Sequence, residues 1–231
     1  CKFAKSNADT AHFILDFDGH SCIISMFVRK EYAALRLENT FSLGGIQMTY
    51  EMDIAGLKRS LPLCRVTDDL YIGAFVMFGD VELTVHCAAE LLKRAPEYDY
   101  LIAPEAKAIP LLYEMARQSG AEKYFLARKG AKAYMTGVFE VEVRSITTMH
   151  IQKLVIDTAD AEMIKGKKVL IVDDVISTGE SLHAMEELVK RAGGIIAGKM
   201  AVLAEGDAKD RDDIITLAPL PLFNADGSVK E

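Results

Sequence analysis

Residues 169–181 read Val-Leu-Ile-Val-Asp-Asp-Val-Ile-Ser-Thr-Gly-Glu-Ser, and few folds accommodate such a run. The apolar stretch 169–172 is short, β-branched-rich and unbroken, which predicts a central strand covered on both faces. Asp173 and Asp174 fall at its carboxyl end, where open α/β sheets place their ligands. The residues that follow lead into an amphipathic helix, because Leu182, Met185, Leu188, Val189 and Ala192 share one helical stripe. A glycine-bearing turn that feeds a helix amino terminus offers backbone N–H groups and a positive dipole end, which together make a phosphate seat. Two carboxylates beside that seat would repel a bare phosphate. They suit a sugar phosphate, whose hydroxyls they accept, or a bound divalent cation.

Composition narrows the classes. Half of the 231 residues are hydrophobic, enough for one sizeable domain or one domain with an extension. The four cysteines (Cys1, Cys22, Cys64, Cys87) show no CxxC pairing, so neither a disulfide framework nor a structural zinc site is expected. Apolar runs such as 71–79 fall well short of the ~20 residues of a membrane span, and no signal-peptide pattern stands at the start. The expectation is a cytoplasmic protein without membrane contact. A net charge of −7 argues against nucleic-acid binding, which needs a basic footprint.

Along the chain, residues 13–17, 21–27 and 33–37 read as strands, with turn signals at Asp18-Gly19 and Gly44-Gly45. Asp16-Phe17-Asp18-Gly19 also invites a phosphatase reading, but His20 stands where a threonine is needed, and a hairpin turn explains the residues more simply. From about residue 80 the pattern becomes regular α/β. Val81, Val85, Ala88, Ala89 and Leu92 stripe a helix, 98–102 is a strand, and 110–119 is a second helix with Pro110 in its first turn. Strand 124–127, a hairpin over 138–143 and 154–156, and a long strand over 195–203 complete the pattern.

The 169–181 segment resembles the PRPP (phosphoribosyl pyrophosphate) signature of the type I phosphoribosyltransferases. The resemblance implies that Asp173 and Asp174 hold the ribose hydroxyls. Val175, Ile176, Ser177, Thr178, Gly179, Glu180 and Ser181 would wrap the 5′-phosphate. Two further segments are similar to adenine phosphoribosyltransferases in the same chain order. Glu105-Ala106-Lys107-Ala108 resembles their acid-small-Arg-Gly pyrophosphate loop, with Lys107 in the Arg position and Ala108 in the Gly position. Arg128-Lys129-Gly130-Ala131-Lys132, three cations in five residues, is similar to their Arg-Lys-x-x-Lys stretch. That stretch reaches pyrophosphate, partly across a dimer interface. Taken alone, the first segment reads equally as a surface Glu/Lys pair at a helix start, and the second can also be read as a solvated basic loop.

The resemblance further implies that Arg65 lies near the base and that the tail 217–223 belongs to the same subfamily. It also marks a departure. The mobile hood of adenine phosphoribosyltransferases carries a Glu, whereas the comparable stretch 145–150 has no acid, and Thr148 or His150 stands in its place.

The expected architecture is therefore a type I phosphoribosyltransferase fold. A mainly parallel central sheet flanked by helices would form the core, residues 53–231. A β-rich amino-terminal extension and hood would occupy residues 1–52. The implied activity is transfer of a 5-phosphoribosyl group from PRPP to a purine base, adenine first, in purine salvage. Asp173, Asp174, Glu105 and Lys107 form the catalytic set, Lys107, Arg128, Lys129 and Lys132 hold pyrophosphate, and Mg²⁺ sits on Asp173 and Asp174. A homodimer is implied. The alternatives are a regulatory protein that senses PRPP without transferring it, or a transferase for xanthine, hypoxanthine, guanine or orotate.

Overall fold

The computed structural model describes residues 10–17, 20–27, 48–144 and 151–230. It divides into two compact units, residues 1–47 and 48–231. In the first unit, β1 (Thr10–Phe17) and β2 (His20–Phe27) pair antiparallel with Phe17 opposite His20. The Asp18-Gly19 turn, the expected strand 33–37 and the Gly44-Gly45 signal lie outside the described residues.

The second unit opens with a small antiparallel sheet: β3 (Thr49–Ile54), β4 (Leu57–Arg65), β5 (Tyr71–Gly73) and, from the end of the chain, β13 (Leu222–Phe223), in the order β13-β5-β4-β3. Ala55 and Gly56 both have positive φ, 55° and 81°. Such a pair makes the tight turn that joins two antiparallel strands. The larger sheet consists of β6 (Tyr100–Pro104), β7 (Phe125–Ala127), β10 (Lys168–Ile176), β11 (Ile195–Glu205) and β12 (Ile215–Leu220), all parallel, in the order β12-β11-β10-β6-β7. Helices α1 (Val81–Leu92), α2 (Ile109–Ser119), α3 (Thr158–Ile164) and α4 (Glu180–Arg191) accompany it, with the hairpin β8 (Val138–Arg144) and β9 (Ile151–Asp157).

The two-residue period of β10 sorts its side chains between two cores. Leu170 and Val172 pack with Leu83, Cys87, Leu111 and Met115 of α1 and α2. Val169 and Ile171 pack with Ala161 and Ile164 of α3 and Leu182, Met185 and Leu188 of α4. The unbroken apolar run is thus explained: both faces of this strand are covered. Deep burial also pushes the Cys87 thiol up to about 12, with the Asp80 charge adding to the effect.

Arg59 joins the small sheet to α1. It donates from Nε to Asp80 Oδ2 at 2.6 Å and from Nη2 to Glu82 at 2.9 Å. Asp80 is also the helix cap, accepting from the Leu83 N–H at 3.0 Å.

Several boundaries differ from the sequence expectation. The first core strand runs Tyr100–Pro104 rather than 98–102. Strand β10 does not stop at Val172 but continues to Ile176, because β11 offers ladder partners the whole way, Val175 opposite Leu203 and Ile176 opposite Ala204. The aspartate doublet therefore lies within the strand rather than after it. β3, which crosses residue 52, belongs wholly to the second unit.

No helix among the described residues is long and apolar enough to cross a membrane.

Candidate active site

In the larger sheet the connection leaving β6 runs through α2 to β7 on one side, while that leaving β10 runs through α4 to β11 on the other. The carboxyl ends of β6 and β10 therefore flank the point where the winding reverses, the crevice in which open α/β sheets bind ligands. The Glu105–Lys107 turn follows β6, and the aspartate doublet lies in β10. The fold brings the two segments together although they are far apart in sequence. Lys107 Nζ lies 2.6 Å from Asp174 Oδ2. The approach is off the hydrogen-bonding direction, so this buried oxygen accepts no hydrogen bond.

The doublet is electrostatically tense. Asp174 is only 3% exposed, and its backbone N–H donates to Asp173 Oδ1 at 2.9 Å. Burial first, and the Asp174 charge second, push the Asp173 carboxyl well above its usual range, while Lys107 pulls the other way. Two hard carboxylates, one with an unsatisfied buried oxygen, fit a divalent cation. No group of three or more His, Cys, Asp or Glu able to hold a metal occurs among the described residues. This donor set suits Mg²⁺, which takes one or two carboxylates and completes its shell with phosphate oxygens and water.

Beyond the doublet the chain turns along the wall of a pocket into α4. Asp173 and residues 175–182 line a pocket of about 160 Å³. Gly179 is the residue before α4, at φ 80° and ψ 0°. Only glycine takes that left-handed backbone without a steric penalty, and the turn it makes puts the first residues of α4, Glu180, Ser181 and Leu182, on the pocket wall.

The acid and basic loops dock on each other through Glu105. Its Oε2 accepts from Arg128 Nη1 at 3.1 Å, and its Oε1 accepts from the Lys129 backbone N–H at 2.7 Å. The Glu105–Ala106 peptide is cis. The basic loop is stapled to the β8–β9 hairpin at both ends. Arg128 exchanges backbone hydrogen bonds with Val155 at 2.8 and 2.7 Å, and the Thr136 N–H donates to Asp157 at 2.8 Å. Tyr134 lies under the Arg128 guanidinium, 5.7 Å from ring centroid to Cζ. Lys129 and Lys132 are exposed.

Arg65 stays within its own turn. It pairs with Asp68 and donates from Nε to the Thr67 carbonyl at 3.2 Å, so no described contact joins it to the acidic doublet. The hood stretch 145–150, with Thr148 and His150, lies outside the described residues. Two residues near the site escaped the sequence reading, Tyr134 and Arg211. Arg211 sits in a run of alternating charge, Lys209-Asp210-Arg211-Asp212-Asp213, that carries no motif.

A family model described as phosphoribosyl transferase domain matches residues 84–218, which takes in the acid loop, the basic loop and the doublet. The chain belongs to the phosphoribosyltransferase family. The similar relatives carry names of more than one specificity. The adenine phosphoribosyltransferase of Thermotoga sp. (strain RQ2) is 36% identical over 110 residues, 47% of this chain and 60% of the relative. The orotate phosphoribosyltransferase of Caldanaerobacter subterraneus is 27% identical over 143 residues, 61% of this chain and 64% of the relative. The chain thus spans roughly three fifths of the length of these curated relatives. Among solved structures, adenine phosphoribosyltransferase from Thermoanaerobacter pseudethanolicus shares the fold. Its TM-score is 0.52 at 22% identity, over 74% of this chain and 95% of that one.

Proposed function

We propose that this chain transfers a 5-phosphoribosyl group from PRPP to a purine base, with adenine the first candidate, and releases pyrophosphate. One observation carries the reading: an aspartate doublet, with Asp174 buried and Asp173 partly exposed, lies between a glycine-turned helix start and Lys107, which approaches Asp174 to 2.6 Å. A carboxylate pair for ribose hydroxyls, N–H groups for a 5′-phosphate and a cation toward the leaving group are the three recognition elements of this donor.

During transfer the bond from ribose C1 to the pyrophosphate oxygen stretches while a base nitrogen approaches C1, so positive charge builds on the ring and negative charge on the leaving group. Catalysis then rests on positioning and on stabilising the departing anion. Asp173 and Asp174 orient the ribose and oppose the ring's charge. Lys107, Arg128, Lys129 and Lys132 draw charge toward pyrophosphate. Glu105 acts by holding the basic loop in place. Mg²⁺, held by Asp173 and Asp174, would neutralise phosphate oxygens. Arg65 stands on the base side, and the exposed Lys129 and Lys132 suit a loop shared across a homodimer, which sedimentation equilibrium would test.

The decisive assay incubates the protein with Mg²⁺, PRPP and, separately, adenine, hypoxanthine, guanine, xanthine and orotate, and quantifies pyrophosphate. Release that depends on adenine is the expected result, and release with a different base reassigns the acceptor. The acid-free hood stretch favours a second reading, a PRPP sensor. Binding of PRPP with no release for any base would establish that reading and exclude transfer. The doubly substituted Asp173→Asn, Asp174→Asn protein should lose turnover while keeping its circular dichroism; full turnover would refute the assignment.

A further inference from the structure

The turn after β11 brings a cation to the phosphate seat from outside the 169–181 motif. Arg211 directly follows the 3₁₀ turn Gly206–Asp210. It donates from Nε and Nη2 to the two oxygens of Asp213, at 2.8 Å each. Asp213 also pairs with Lys199 of β11, and Lys199 pairs with Glu186 of α4 at 2.9 Å. The planar fork fixes the guanidinium and turns its remaining nitrogen, Nη1, elsewhere. That nitrogen lies 2.6 Å from where a Cβ on Gly179 would stand.

Gly179 is thus hemmed in twice, by its own left-handed backbone and by the Arg211 fork. The four side chains alternate in sign, from Glu186 through Lys199 and Asp213 to Arg211, and the series ends in a cation beside the amino end of α4. Asp213 shares its charge between Arg211 and Lys199, which together hold its carboxyl far below the usual carboxylate range. The anchor therefore stays ionised, and Arg211 is not fully neutralised by it.

We propose that Arg211, packed on Gly179 and forked to Asp213, is a positioning residue for the 5′-phosphate. It holds the glycine turn in place and adds fixed positive potential to the helix-end seat. This rests on the phosphoribosyl reading above, and deepens it by naming a residue outside the motif on which phosphate affinity depends.

Titration calorimetry with ribose 5-phosphate and, separately, with pyrophosphate, each with Mg²⁺, tests it. Arg211→Ala should weaken ribose 5-phosphate about fivefold, as expected for the loss of one partly exposed cation near an anion, and leave pyrophosphate unchanged. Arg211→Lys should fall between, since the charge remains and the fork is lost. Arg211→Gln, which keeps much of the length and loses the charge, should weaken the same ligand selectively, and it supplies the test should Arg211→Ala not fold. The gap between wild type and Arg211→Ala should shrink in high salt. Ribose 5-phosphate affinity unchanged in the variants, or equal loss for both ligands, would overturn the role of Arg211 alone. Wild-type protein that takes up neither ligand would instead remove the phosphoribosyl reading beneath it.

Discussion

At the scale of single residues, the acidic doublet is costly to the fold. Asp173 keeps its proton to higher pH when folded than when unfolded, because burial and the Asp174 charge oppose its ionisation. Above the ordinary aspartate range the folded state binds the extra proton, so stability falls as pH rises through that window and stays reduced above the folded pKa. Each pH unit of the window is worth about 1.4 kcal/mol. Asp173→Asn removes the ionisation. Its melting temperature should match wild type below the ordinary aspartate range and exceed it increasingly as pH rises above that range. Equal melting temperatures throughout would show that Asp173 ionises as it does in the unfolded chain. The doublet was legible in the sequence because two adjacent carboxylates at the end of an apolar strand need a partner. The ion pair from Lys107 was not, because nothing in the order of residues says that the turn after β6 faces β10.

Among elements, the loops were easier to name than to aim. The acid turn and basic loop could each be read as solvated charge until the fold put Glu105 against Arg128 and the Lys129 N–H. Glu105→Gln keeps the shape and loses the charge on which Arg128 rests. It should weaken inhibition by pyrophosphate about fivefold, roughly the 1 kcal/mol of a lost charged hydrogen bond, with little change in melting temperature. Unaltered inhibition would mean that the basic loop keeps its place without Glu105. Three of the four helices were marked in sequence, and α4 buries the stripe its spacing predicts, Leu182, Met185, Leu188 and Val189; α3 (Thr158–Ile164) was not expected. The end of β10 was misplaced. Two aspartates are poor strand formers in isolation, but pairing with β11 overrides local preference.

For the whole molecule, ligand should act as a brace. PRPP with Mg²⁺ at a hundred times its dissociation constant adds about 2.7 kcal/mol to the folded state. In a chain of this size that is a rise in melting temperature of roughly 5–10 °C. The rise should be largest with both present, since PRPP without Mg²⁺ leaves the repulsion at the doublet unscreened. A melting curve indifferent to both would count against the crevice as a PRPP site.

Local order in the chain determined the strand–turn–helix unit, the glycine of its turn and the presence of scattered cations. These follow from periodicity, backbone preference and charge, which act over a few residues. The tertiary structure alone decided which loops meet. Strand order 12-11-10-6-7 places the Glu105 turn beside the doublet, sets Glu105 on the basic loop and carries Arg211 to Gly179. Contacts between residues so distant in sequence depend on which strands become neighbours, and that is set by how two cores are buried together on opposite faces of one sheet.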